Sequence, residues 1–150
     1  MSDDARQARP EDIPQVVRLV GVMFAELGTA TNPSWATRAR DELSRRLWRD
    51  VGIFVANVGS DLAACAVGVL HESLPSPRRR TQRVGYIEWV ITDPGCRRRH
   101  YGMAVTSALV DWLDDQGAAV IDVHSSAVAE PLYRRLGFTG DGPLALRRRS

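Results

Sequence analysis

The residues best suited to chemistry in this sequence form the run Arg97-Arg98-Arg99-His100-Tyr101-Gly102-Met103-Ala104. It stands between an apolar run, Tyr86 to Ile91, and the series Val105, Leu109, Val110, Trp112 and Leu113, whose i, i+3, i+4 spacing is that of an amphipathic helix. A basic turn that opens a helix suits an anion. The N–H groups of the first helical turn lack internal partners, and the helix dipole favours negative charge there. Arg97, Arg98 and Arg99 add cationic donors, while Gly102 and Ala104 leave room for a phosphorylated ligand against the backbone. The plainer reading is a solvated basic turn that caps a helix. A second candidate is Glu88, an acid among apolar neighbours. Strict alternation puts Tyr86, Glu88, Val90 and Thr92 on one face of a strand and Ile87, Trp89 and Ile91 on the other.

The elements that must position these groups follow from periodicity. Ala5 to Ala8 reads as a short first strand, and Pro10-Glu11-Asp12 opens a helix with the stripe Ile13, Val16, Val17, Val20, Phe24 and Leu27, ended by Gly28. Asn32-Pro33-Ser34 starts a second helix through Trp35, Ala39, Leu43, Leu47 and Trp48. Its remaining face, with Arg38, Arg40, Asp41, Glu42, Arg45 and Arg46, reads as a solvated one. Ile53 to Val58 and Leu62 to Leu70, joined by Gly59-Ser60-Asp61, form a hairpin. His71 to Arg83 holds two prolines and a set of arginines and reads as a long basic loop. The strand Val84 to Thr92, the helix Gly102 to Asp115 and the strand Ala119 to Val123 come next. His124-Ser125-Ser126 then leads to a helix over about Val128 to Leu136, and Phe138 opens a last strand toward Leu146. The order βααβββαβαβ predicts an α+β fold with a central sheet flanked by helices.

Composition bounds the function. The length of 150 residues suits a single domain over 1–150 that buries about two-thirds of its surface. An apolar share of 44% argues against disorder. Net charge is +2, although all 20 cationic residues are arginine, a bias that a GC-rich genome also produces. Cys65 and Cys96 have no metal-binding or CxxC spacing, so no metal site and no disulfide framework are expected, and a reducing cytoplasm fits. Met1-Ser2-Asp3-Asp4 does not read as a secretion signal, and no apolar run reaches membrane-spanning length. A nucleic-acid partner is not indicated, because no aromatic residues interleave with the arginines of the loop.

Two blocks carry a family resemblance. The run Pro94-x-x-Arg97-x-x-His100-x-Gly102 is similar to the acetyl-CoA signature of the GNAT-superfamily acetyltransferases, a Pro three residues before an R-x-x-G-x-G/A loop. Ala129-x-x-Leu132-Tyr133-Arg134-Arg135-Leu136-Gly137-Phe138 resembles that family's A-x-x-L-Y-x-x-L-G-F block. The likeness covers nearly the whole chain, and it implies a mixed, mostly antiparallel GNAT-like sheet. One residue departs from the pattern: His100 stands where the first signature glycine belongs. A second register, Arg99-x-x-Gly102-x-Ala104, fits the letters but leaves Pro94 too far upstream.

The resemblance implies an acetyl-CoA-dependent N-acetyltransferase. The backbone of Val90, Ile91 and Thr92 pairs with the pantetheine arm, and Arg97, Arg98, Arg99, His100, Tyr101, Gly102, Met103 and Ala104 cradle the pyrophosphate. Ser126 stands where the family often has an Asn that bonds the same arm. Attack on the thioester needs a neutral amine, whose ordinary pKa is about 10.4, so a base must help remove the proton. Glu88 is the candidate base; the competing reading is a structural ion pair with a nearby arginine. Tyr133 occupies the family's place for the group that protonates the leaving thiolate, against a plain core tyrosine. The acceptor wall is built by Phe24, Trp35, Glu72, Tyr86 and Glu88, and the arginines of the long loop favour an acceptor that carries an anionic group. The reading is transfer to a primary amine of a small molecule in a ternary complex, by a possible homodimer. The alternative is an acyl-CoA-binding module or regulator without turnover.

Overall fold

Apolar stripes and runs set the elements, and one strand irregularity sets the site. The computed structural model describes residues 4–150, so the reading of Met1-Ser2-Asp3 lies outside the described residues. Strand β1 (Arg6–Gln7) leads through a single 3-10 turn into helix α1 (Ile13–Glu26), which buries Ile13, Val16, Val17, Leu19 and Val20. The helix ends before Leu27, which is 66% exposed, and Gly28 takes the left-handed φ of 79° that closes it. Helix α2 (Pro33–Arg46) starts where the Asn32 side chain accepts the Trp35 N–H at 2.8 Å.

The strands β2 (Val51–Val58), β3 (Asp61–Glu72) and β4 (Arg83–Thr92) form an antiparallel meander with β1 at its edge. Helix α3 (Tyr101–Asp115) returns the chain so that β5 (Val120–Val123) pairs parallel to β4. Helix α4 (Glu130–Arg135) is short. The result is an α+β fold with a mixed, mostly antiparallel five-stranded sheet in the order β1-β2-β3-β4-β5. One core lies between the sheet and α1 and α2, including Val16, Val20, Leu43, Ile53 and Ile91. The other lies between the sheet and α3 and α4, including Leu109, Leu113, Ile87 and Tyr133. Helix α3 lies close on the strands because Gly52 and Gly68 leave its path open. A Cβ at Gly52 would stand 2.5 Å from the Trp112 ring, and one at Gly68 would stand 2.9 Å from Leu109.

Two expectations need correction. The alternation along β4 breaks, because Val67 pairs with Trp89 while Gly68 pairs with Ile87, which leaves Glu88 as an extra residue. Such a bulge exchanges the faces of the strand residues beyond it. Ile87 and Val90 therefore pack in the α3 core, whereas Trp89 and Ile91 pack in the α1 core. The strand expected from Phe138 to Leu146 is not formed either; the sheet ends at β5 among the described residues. Gly140, Gly142 and Pro143 explain this, since glycine weakens a strand and proline cannot donate to a ladder. Leu144 and Leu146 stay 84% and 86% exposed. No helix among the described residues is long and apolar enough to cross a membrane.

Candidate active site

The site begins where two parallel strands part. β5 accompanies β4 only from Val84 to Ile87, whereas β4 continues beside β3 to Thr92. From Glu88 to Thr92 the β4 edge that faces away from β3 therefore has no strand beside it among the described residues. Its backbone groups remain available to an extended ligand.

The turn after β4 is built for an anion. Asp93 holds its start, accepting the Gly95 N–H on its side chain at 2.9 Å and the Cys96 N–H on its carbonyl at 2.8 Å. Arg98 and His100 both take left-handed φ values, 66° and 65°. None of the backbone N–H groups from Arg97 to Met103 donates to an acceptor among the described residues, and the first helical bond is that of Ala104 to His100 at 3.1 Å. Left-handed residues before a helix start gather successive N–H groups into a concave nest for anions. Thr92, Arg98, His100, Tyr101, Gly102, Met103, Leu132 and Arg135 line a hollow of about 330 Å³ there. A Cβ on Gly102 would stand 3.2 Å from the Thr92 hydroxyl, which would have to give by a few tenths of an ångström. The free amides, the open strand edge and the cationic lining fit a pyrophosphate with an extended arm.

Arg97 lines the hollow too, but it donates to both carboxylate oxygens of Glu26, at 2.6 and 2.7 Å, so its charge is already matched. Other expected contacts are oriented differently. Arg99 does not line the hollow, and Ala104 is buried beneath it. Ile91 faces the other core, which leaves its backbone for a ligand. The Ser126 hydroxyl accepts the Ala129 N–H at 3.3 Å, near the start of α4. Arg135, on α4, is the lining cation that sequence reasoning missed.

On the opposite face of β4 lies a second hollow of about 330 Å³, under α2. Trp35, Arg38, Leu43, Val67, Glu88 and Trp89 are among its walls. Phe24 packs edge-on against Trp35 and Trp89 at centroid distances of 5.8 and 6.3 Å. Glu88 makes no hydrogen bond or ion pair among the described residues, so it is not held as a structural ion pair. The hollow thus brings Glu88 together with Trp35, and Phe24 does not line it but packs against Trp35 and Trp89. Glu72 lies elsewhere, bonded to Arg83 at 3.2 Å beside Arg49 and His71. The arginines of the long loop brace it: Arg79 donates to Ser73 and Leu74, Arg80 to the Ala118 carbonyl, and Arg83 to the Gln116 carbonyl.

Tyrosines and a histidine line the parting strands. The Tyr86 hydroxyl donates to His124 Nδ1 at 3.0 Å, and Arg147 donates to the same nitrogen at 2.8 Å. The Nδ1 atom thus accepts from both side chains. Burial, and then the charge of Glu88, push the Tyr86 hydroxyl above its ordinary value. Tyr133 is 6% exposed, and burial, with Tyr86 nearby, raises it to about 12. Its hydroxyl has no hydrogen-bond partner among the described residues, while its ring rests edge-on against Phe138 at 5.6 Å. His124 and Arg147 leave no mark in the sequence because only the fold brings the tail back to the end of β5.

An anion nest and a second hollow lie on opposite faces of one open strand edge, an arrangement with room for two ligands. The sequence model of the acetyltransferase (GNAT) family matches residues 22–138, and the chain belongs to that family. Acetyl-CoA is the acetyl donor that this family uses. No curated protein matches the chain. Solved structures that share the fold include a predicted acetyltransferase from Clostridium acetobutylicum crystallised with acetyl-CoA, at 21% identity over 95% of this chain and 94% of that one, TM-score 0.82. A GCN5-related N-acetyltransferase from Ralstonia eutropha JMP134 is 24% identical over 96% of this chain and 97% of that one, TM-score 0.77. AAC(6')-Iy in complex with a CoA bisubstrate analogue is 15% identical over 98% and 97%, TM-score 0.77.

Proposed function

We propose that this acetyltransferase moves the acetyl group to a primary amine of a small molecule by direct attack in a ternary complex. The observation that carries the reading is the open β4 edge from Glu88 to Thr92, which joins an anion nest on one face to an apolar hollow on the other. Acetyl-CoA supplies the acetyl group as an activated thioester. The nest amides and Arg98 hold the pyrophosphate, and the β4 edge at Val90 to Thr92 aligns the arm. Glu88, on the acceptor side, takes a proton from the incoming amine directly or through one water, so that its nitrogen lone pair bonds to the carbonyl carbon. As the C–S bond breaks, the Tyr133 hydroxyl gives its proton to the departing thiolate and regains one from solvent.

Calorimetric titration with acetyl-CoA, followed by thiol release against a panel of small amines, tests the reading. Micromolar binding, about −8 kcal/mol, with thiol release for at least one amine is the expected result. Binding without release for every amine assigns the chain instead to a non-catalytic acyl-CoA module. Glu88 is exposed and unpaired, so Glu88→Gln should fold normally, bind acetyl-CoA as the wild type does, and lower kcat about 100-fold. An unchanged kcat removes Glu88 from the role of base.

A further inference from the structure

The hollow under α2 combines an apolar lining with a few charged groups. Its floor and walls are largely apolar: Val51, Val67, Val69, Leu43, Trp35 and Trp89. The charged groups that line it are Arg38, Glu42, Arg46 and Glu88. Two of them are matched within the protein. Arg46 donates to both Asp50 oxygens, at 2.6 Å for the shorter bond, and lies 3.5 Å from Glu42, which also accepts from Arg45 at 2.6 Å. Arg38 and Glu88 have no such partner among the described residues. One free guanidinium and one free carboxylate therefore face a single small apolar space.

We infer that the acceptor is a zwitterion with an apolar frame, an amine joined to a carboxylate as in an aromatic or large aliphatic amino acid. The inference rests on the proposed acetyl transfer and names its substrate class. Glu88 faces the amine. Arg38 takes the carboxylate through its planar fork, which suits that group better than a point charge does. Trp35, Trp89 and the valines hold the frame. A polyamine or aminoglycoside finds a single free carboxylate here and is repelled by Arg38, while a polyphosphate finds a single free cation and is repelled by Glu88. The volume, about 330 Å³, lies at the small end of the range for ligand sites, roughly 300–1,000 Å³. The loop arginines play no part: none of Arg78, Arg79, Arg80 and Arg83 lines the hollow, and carbonyls, Ser73 and Glu72 engage the last three.

Matched pairs isolate the carboxylate: phenylalanine with phenethylamine, tryptophan with tryptamine, and 4-(aminomethyl)benzoate with benzylamine. Binding is read from protein fluorescence for the nonindolic pairs, since Trp35 and Trp89 line the hollow, and from calorimetry for all of them. Acetyl transfer is read separately by thiol release. At least one acid should bind about tenfold or more tightly than its decarboxylated partner, and Arg38→Ala should remove that difference while Arg38→Lys keeps part of it. Circular dichroism of each variant checks that it is folded, as an exposed and unpaired side chain leads one to expect. No preference for any acid, no binding of any acid, or a preference that survives Arg38→Ala overturns the inference. If amines are acetylated without carboxylate preference, the transfer reading stands and this one falls. If the acids bind through Arg38 but none is acetylated, the binding site stands and the transfer reading falls.

Discussion

Tyr133 and His100 show how single side chains are tuned by their surroundings. Burial lifts the Tyr133 hydroxyl to about 12, so it keeps its proton over the whole range in which an acetyl transfer is assayed. Tyr133→Phe should lower kcat about 100-fold and leave acetyl-CoA affinity near that of the wild type. The sign of the shift adds a finer expectation. An ordinary tyrosine would lose its proton, and the wild type its advantage, near pH 10; here the rate ratio of wild type to Tyr133→Phe should stay constant to about pH 10.5. Convergence of the two rates near pH 10 would show that the donor is another group. His100 holds a left-handed φ of 65°, which costs a non-glycine residue about 1 kcal/mol. Its side chain also lines the nest hollow. His100→Gly should therefore stabilise the fold slightly, by up to about 1 kcal/mol after glycine's own entropy is counted, and tighten acetyl-CoA binding. Binding that weakens would mean that the imidazole is itself a ligand group.

At the scale of elements, α3 carries the nest, and its seat on the sheet depends on the glycine beneath Trp112. Gly52→Ala would drive a Cβ to 2.5 Å from that ring, so overpacking should cost about 1–3 kcal/mol, seen as a fall in Tm of several degrees. A stability equal to wild type would mean that Trp112 repacks freely. The helices, the hairpin and the turn between β4 and α3 are legible in the sequence because each announces itself locally, by a 3.6-residue stripe, a tight-turn sequence or a capping residue such as Asn32. The bulge is not. A strand with an extra residue reads as plain alternation unless its partner's register is known, and that register is set by β3 across the long loop. Arg38 likewise reads as a residue on a solvated face, although its position one turn after Trp35 puts it on the same stripe. The pairing of Arg97 with Glu26 joins residues far apart in sequence and leaves no local trace. The missing last strand has a local sign, Gly140, Gly142 and Pro143, which the apolar Leu144 and Leu146 outweigh in a reading by hydrophobicity.

The whole molecule carries a consequence of its composition. All 20 cationic side chains are arginine, which stays protonated beyond pH 12, so no lysine titrates in the alkaline range. Cysteine and tyrosine are the side-chain types whose ordinary values lie nearest that range, and the chain has 2 and 3 of them. Two of these are perturbed strongly and in one direction: burial raises Cys65 from 9.0 to about 12, and burial raises Tyr133 from 10.0 to about 12. The unfolded chain therefore gives up these protons before the folded protein does. The stability they contribute is present in full below about pH 9 and is lost as pH rises toward 12. Urea midpoints measured at constant ionic strength should hold steady from pH 7 to 8.5 and then fall, by an amount equivalent to about 4 kcal/mol at pH 11. Cys65→Ala, although less stable at neutral pH, should show a shallower fall between pH 9 and 10 than the wild type, because the thiol ionises first in the unfolded chain. A fall just as steep in that variant would place the alkaline sensitivity outside the two buried groups.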